Sequence, residues 1–226
     1  MDIIKRTNKI VEALEQEYPV AKCSLEYAKP YELLIATRLS AQCTDARVNI
    51  VTRVLFDKYH TLQSLAEAKT DELEEVVKPC GFYRTKTQDI IRICHDLIAR
   101  FGSRVPDNMD DLLSLSGVGR KTANLILGDI YHKPAIVCDT HCIRITNLLG
   151  LTTTKDAYKC EMELKKLLPP EKSNDFCHRM VLHGRAVCKA RAPHCEVCCL
   201  NNLCEYGLKA LKEAPQRNMI KNTTDN

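Results

Sequence analysis

The sequence predicts an all-α protein, and three observations carry that expectation. Apolar residues recur at helical spacing through long segments such as 31–59 (YELLIATRLSAQCTDARVNIVTRVLFDKY) and 87–102 (TQDIIRICHDLIARFG). No alternating apolar–polar run of strand length occurs. Helix-breaking residues punctuate the chain at Tyr18-Pro19, Pro79-Cys80-Gly81, Phe101-Gly102, Val105-Pro106 and Pro169-Pro170. With 226 residues the chain can fill one large domain or two small ones. Periodicity leaves a single bundle and two lobes equally open.

The first element is an amphipathic N-terminal helix with Ile3, Ile4, Ile10, Val11 and Leu14 on one side. It lacks the uninterrupted apolar stretch and cleavage site of a signal peptide, so export is not expected. No run approaches the ~20 apolar residues of a membrane span, and a membrane partner is not expected either. Hydrophobic residues make up 45% and charged residues 27%, an ordinary globular balance. The net charge of +4 permits an anionic partner without identifying one. From about Glu213, with Pro215 and the polar run Asn222–Asn226, the sequence reads as a frayed tail.

The chain has 13 cysteines, an odd number that argues against a disulfide framework. Eight of them (Cys23, Cys43, Cys80, Cys94, Cys138, Cys142, Cys160 and Cys177) lie scattered through helical patterns and read as small core residues. The other five crowd between Cys188 and Cys204. Cys188, Cys195, Cys198 and Cys204 follow a C-x6-C-x2-C-x5-C spacing that lets four thiolates wrap one metal centre. Zinc is the generic reading of four cysteines, but structural zinc sites usually show two short pairs and this segment has one. Cys199 is either a spare thiol or an alternative ligand; Cys198 preserves the x2 spacing. Lys189 and Arg191 lie between the first two candidate ligands and would suit a phosphate.

In the middle of the chain, MDDLLSLSGVGRKTANLILGDIY (109–131) holds two helical patterns separated by Ser116-Gly117-Val118-Gly119. The glycines allow a reversal within four residues, Val118 can plug the apolar space between the helices, and the second helix starts near Arg120. Its free N–H groups would make an anion site suited to a phosphate. A plain helix–turn–helix connection without a ligand accounts for the same pattern. Further on, in Val137-Cys138-Asp139-Thr140-His141, Asp139 or Thr140 would cap a helix.

The string Leu115 to Ala123 resembles the helix-hairpin-helix element of the endonuclease III family. In that family the lysine after the second glycine and the arginine is the nucleophile, which points to Lys121. Its Val-Asp-Thr-His string, matched here with Cys138 in place of valine, implies a catalytic Asp139. The four cysteines match the family's 4Fe–4S cluster pattern, with ligation by four thiolates. Ser40-Ala41-Gln42-Cys43-Thr44-Asp45 resembles a segment whose glutamine enters the helix, with Asp45 shaping or capping the same cleft. Gly81-Phe82-Tyr83 resembles a turn whose middle residue wedges against the opposite strand. By the same likeness, Gly117, Val118, Gly119 and Arg120 would meet DNA backbone, as would His141 and Arg144, which an exposed basic helix face explains nearly as well.

The resemblance covers roughly residues 1 to 211. It implies two helical lobes flanking a DNA-binding cleft: a six-helix barrel with the hairpin over 22–132, and a cluster lobe built from 1–21 and 133–212, with 213–226 as tail. It implies a DNA glycosylase with abasic-site lyase activity, acting on double-stranded DNA that contains damaged bases, oxidised pyrimidines above all, or abasic sites. A monomer in a prokaryotic cytoplasm, associated with the nucleoid, is the corresponding expectation. A lysine attacks carbon only as the neutral amine, a form that partial burial and the positive end of a helix would favour.

Overall fold

A computed structural model describes residues 2–210, and among these the chain is helical with no strand. The tail expected over 213–226 lies outside the described residues. The described residues divide into two compact units, Cys23–Lys133 and a second that joins 2–22 to 134–210.

The second unit opens with α1 (Ile3–Glu17), capped by the Asp2 carboxylate, which accepts from the Lys5 N–H at 3.3 Å. Thr7, Ile10, Val11 and Leu14 face inward. Ile3 and Ile4 do not: both are about 40% exposed, a correction to the expected apolar face. The buried stripe begins one turn later, at Thr7, whose hydroxyl is satisfied internally by the Ile3 carbonyl at 2.9 Å.

Within Cys23–Lys133 lie α2 (Pro30–Leu39), α3 (Asp45–Lys58), α4 (Leu62–Ala66), α5 (Thr70–Val77), a 3-10 turn (Lys78–Cys80), α6 (Tyr83–Phe101), α7 (Met109–Leu113) and α8 (Arg120–Asp129). Pro30 sits at the start of α2, where its missing N–H costs nothing, and the Glu32 carboxylate accepts from the N–H groups of Ala28 and Lys29. The pattern that ran unbroken through 31–59 is interrupted at residues 40–44, where Thr44 caps α3 by accepting from the Arg47 N–H. Helix α6 packs on α2, α4 and α5. Leu33, Leu34, Ile35, Leu55, Leu65, Leu73, Ile90, Ile93, Leu97 and Ile126 are fully buried, each contributing about 1.5–3 kcal/mol by leaving water.

The remaining unit continues with α9 (Thr140–Leu149), α10 (Ala157–Lys165), a 3-10 turn (Pro170–Lys172), α11 (Ser173–Ala186), a short 3-10 turn (Cys195–Val197) and a helical segment over 205–210. Both α1 and α9 pack on α11, around Ile10, Leu14, Ile145, Leu164, Phe176 and Met180. Arg6 ties α1 to the end of α9: its guanidinium donates to the Leu149 and Gly150 carbonyls at 2.8 and 2.9 Å. Carbonyls at a helix C-terminus have no partner within the helix, and a cation there also meets the negative end of the dipole.

All 13 cysteines are unpaired thiols. Of the eight expected in the core, six are buried, and burial pushes the Cys94 thiol up to about 12. Cys23 and Cys43 are only half-buried, because both sit in connecting segments and not on a helix face.

Candidate functional site

In the Cys23–Lys133 unit the helix pair α7 and α8 is joined through Ser116-Gly117-Val118-Gly119. Gly117 has φ +66°, and a Cβ added there would meet Arg38 Nε at 2.5 Å and Asp89 Oδ2 at 2.8 Å. Both facts demand glycine. Val118 is buried between the helices. The hairpin is held from beneath by Asp89 of α6, which accepts from the Ser116 hydroxyl at 2.7 Å and from the Arg38 Nε and Nη2 at 2.7 Å each. A two-pronged guanidinium–carboxylate contact fixes orientation as well as distance. Nothing in the sequence marked Arg38 or Asp89, and Ser116 stood out only as part of the turn; an acid in the middle of a polar-looking helix carries no signal until its neighbours are known.

Helix α8 starts at Arg120, and no side chain caps Gly119 at its N-terminus. Lys121 occupies the first turn and is exposed. The expected partial burial is therefore absent: Ala123, two residues on, takes the inward position, leaving Lys121 on the outer side.

Two further turns of this unit carry sequence-predicted residues. Gln42, in the α2–α3 turn, and Phe82, at the start of α6, are both exposed and both hold positive φ, +55° and +49°. Phe82 is 66% exposed despite its size. Asp45 lies in the first turn of α3. Between the turns lies Lys86, 1% exposed, whose Nζ donates to the carbonyls of Leu39, Ala41 and Cys80, each at 2.8 Å. Burial draws this amine below the ordinary lysine range.

In the other unit Asp139 caps α9, its Oδ1 accepting from the Cys142 N–H at 2.7 Å. Of the two cap candidates the aspartate takes the role. His141 packs its ring on Gly184 of α11, where a Cβ would meet Nδ1 at 2.3 Å, and that nitrogen is buried without a hydrogen-bond partner. Arg144 donates through Nη1 to Cys188 Sγ at 3.6 Å. Lys189 and Arg191 are exposed on the segment that follows α11.

Cys188, Cys195, Cys198 and Cys204 line one cavity, walled by Ile145, Leu149, Val187, Pro193 and Leu200 and enclosing about 380 Å³ of non-atom space, part of it open to solvent. Cys199 is exposed. The donor set suits thiolate ligands of a metal cluster: besides the Arg144 contact, the N–H groups of Leu200 and Gly207 donate to the Cys198 and Cys204 sulfurs at 3.4 and 3.3 Å. Such N–H···S bonds are among the groups that tune iron–sulfur centres. Among the described residues no three His, Cys, Asp or Glu side chains converge on a single ion. Four thiols lining one largely apolar cavity are a donor set that a thiolate-ligated metal centre could use.

Residues 35–170 match the model of the HhH-GPD superfamily, base excision DNA repair proteins. The chain is 43% identical to endonuclease III of Synechocystis sp. over 201 residues, covering 88% of this chain and 92% of that protein. It is 37% identical to endonuclease III of Bacillus subtilis over 211 residues, 93% of this chain and 96% of the relative. A solved structure of a trapped endonuclease III–DNA covalent intermediate superposes with a TM-score of 0.86 at 39% identity, spanning 93% of this chain and all of that one. A thermostable thymine-DNA glycosylase, 22% identical, shares the fold with a TM-score of 0.80 over 91% of this chain and 98% of that one. The chain belongs to the endonuclease III family. Base excision from DNA, by an N-glycosylase with abasic-site lyase activity, is the enzyme class that this membership assigns.

Proposed function

We propose that this enzyme releases damaged bases, oxidised pyrimidines foremost, from double-stranded DNA and cuts the abasic site by β-elimination, with Lys121 as nucleophile and Asp139 as its acid–base partner. The observation that carries the assignment is the setting of Lys121. It is an exposed amine in the first turn of α8, directly behind a hairpin whose geometry only glycine permits. Family membership supplies the reaction class. The trapped covalent complex of a relative with DNA is what a lysine–sugar adduct would give.

The Lys121 lone pair forms a bond to C1′ of the deoxyribose while the bond from C1′ to the base breaks. The base leaves with that electron pair and takes up a proton. The sugar ring then opens as the imine forms. Loss of a C2′ proton expels the 3′ phosphate, and water frees the lysine. Asp139 stabilises positive charge developing on the sugar and relays the proton. Gly117, Val118, Gly119 and Arg120 grip backbone phosphate through the hairpin, joined by Arg144, Lys189 and Arg191. His141, with Nδ1 turned inward, keeps its other ring nitrogen for such a contact. Gln42 and Phe82 enter the duplex to fill the space of the extruded nucleotide.

Cys188, Cys195, Cys198 and Cys204 would hold a 4Fe–4S cluster. When bound, it supplies four metal–thiolate bonds that fix the 188–204 segment and with it Lys189 and Arg191. We read Cys23–Lys133 as the barrel lobe, the unit formed by the two chain ends as the cluster lobe, the enzyme as a monomer, and its place as the prokaryotic nucleoid. Iron and sulfide analysis of purified protein separates the cluster from zinc.

Borohydride should trap a covalent complex between the active enzyme and abasic DNA. Lys121→Gln should lose the adduct, and both Lys121→Gln and Asp139→Asn should lose base release while still binding DNA. No adduct from active protein would favour a glycosylase without lyase chemistry. Unchanged activity in Lys121→Gln, with all function lost on removal of the cluster, would make the chain a cluster-switched DNA-binding protein. Base release across a panel of lesion-bearing duplexes tests the preference for oxidised pyrimidines.

A further inference from the structure

Lys86 has no part in the chemistry above, yet it is a buried lysine with all three ammonium protons committed. Its acceptors come from two separate turns. Leu39 closes α2 and Ala41 immediately precedes Gln42. Cys80 ends the 3-10 turn that leads through Gly81 into Phe82. The backbone of Lys86 adds a fourth bond, the first i→i−4 bond of α6, its N–H donating to the Phe82 carbonyl at 3.0 Å. One residue therefore joins the turn that carries Gln42 to the turn that carries Phe82.

Each of those turns is costly by itself. Gln42 and Phe82 are non-glycine residues in the left-handed region, and Phe82 spends most of its apolar surface in water. Such conformations persist only where the surroundings over-determine them. A buried ammonium is costly as well, and is tolerated only when fully hydrogen-bonded. Capping α2 alone would not call for this arrangement: a half-exposed lysine on the Leu39 carbonyl would suffice, and the Ala41 and Cys80 carbonyls lie outside α2.

We propose that Lys86 is a positioning residue for lesion recognition, an internal tie that holds the Gln42 and Phe82 turns at a fixed separation so that both side chains meet the duplex together. The proposal rests on the assignment of those two residues to DNA under Proposed function. Flexible probing side chains must be ordered when they bind, and a tie that pre-orders both removes that penalty. The benefit falls on DNA with a nucleotide extruded, where the two side chains are inserted, and leaves undamaged duplex, held through phosphates, unaffected.

The test uses the full-length enzyme and two otherwise identical duplexes, one undamaged and one with a tetrahydrofuran abasic analogue. Lys86→Met should bind the undamaged duplex within twofold of the wild type. Its preference for the abasic analogue should fall at least tenfold. Backbone amides over 40–43 and 80–83 should exchange faster together, while those of 115–120 should not. Lys86→Arg, which keeps the charge but offers a planar fork in place of a point donor, should recover thermal stability and not the preference. If Lys86→Met fails to fold, Lys86→Arg carries the same comparison of the two duplexes. A lowered melting temperature with an unchanged preference would make Lys86 a structural cap and overturn the proposal, as would loosening of one turn alone. A wild type with no preference for the abasic analogue would instead refute the assigned function.

Discussion

Gly117 shows how a single position is fixed from two directions. Its φ of +66° excludes most side chains, and its missing Cβ leaves room for the Arg38–Asp89 pair. Gly117→Ala should therefore cost about 1–3 kcal/mol from the backbone alone, and more once the ion pair is pushed aside. Asp89→Ala removes the common anchor of Arg38 and Ser116 and strands a guanidinium that is only 15% exposed. Truncating one partner of a buried pair costs about 3–5 kcal/mol, so Asp89→Ala should exceed the backbone cost of Gly117→Ala. Urea unfolding monitored by helical circular dichroism measures both. Equal stability of Asp89→Ala and the wild type would mean that the hairpin needs no support from α6.

At the scale of elements, the observed cap role of Asp139 and the acid–base role proposed for it can be separated by substitution. As N-cap of α9 it accepts the Cys142 N–H, and asparagine caps about as well as aspartate. Asp139→Asn should keep the thermal midpoint of the wild type and lose base release. Asp139→Ala should lose base release and also about 1 kcal/mol of stability. An alanine variant as stable as the wild type would show that the cap is supplied from elsewhere. The start of α9 was legible because Asp-Thr precedes a helical pattern, as were breaks that contain proline or glycine, such as 79–81 and 101–102. The 40–44 turn was not legible as a break, since neither residue occurs there and the apolar spacing runs through it; its only local signal is the Thr44 cap. Lys86 and Asp89 were hidden more deeply. They lie in Arg-Thr-Lys-Thr-Gln-Asp, a string that reads as a solvated helix face. Their burial follows from turns packed against α6, which are contacts between distant residues that no local pattern encodes. The residues proposed for chemistry come from their motifs, whereas Lys86 and Asp89, which brace the turns around them, needed the coordinates.

At the scale of the molecule, the N-terminal helix and the residues from Pro134 to 210 are built into one unit. Helix α1 meets the residues beyond α9 through Arg6, which donates to Leu149, Gly150 and, at 3.4 Å, Leu203, and pairs with Glu205 at 3.3 Å. Leu203 and Glu205 flank Cys204, so the N-terminal helix is anchored on the segment that would carry the cluster. Metal–thiolate bonds contribute directly to folding where the apo segment has little core of its own, and the 188–204 segment buries only Leu200 among its described side chains. If these cysteines hold the proposed cluster, its loss should free more than the cysteine segment. In a Cys198→Ser variant, backbone amides over 188–207 should lose protection from hydrogen exchange, and those of α1 should follow because Arg6 loses two of its partners. Protection within Cys23–Lys133 should hold, since its core of Leu33, Leu55, Leu73, Ile90 and Ile126 shares no residue with that segment. Exchange measured by mass spectrometry on wild type and variant decides the matter. Protection lost uniformly across both units would show that the enzyme unfolds as one cooperative body, and protection kept in α1 would show that Arg6 anchors it through Leu149 and Gly150 alone.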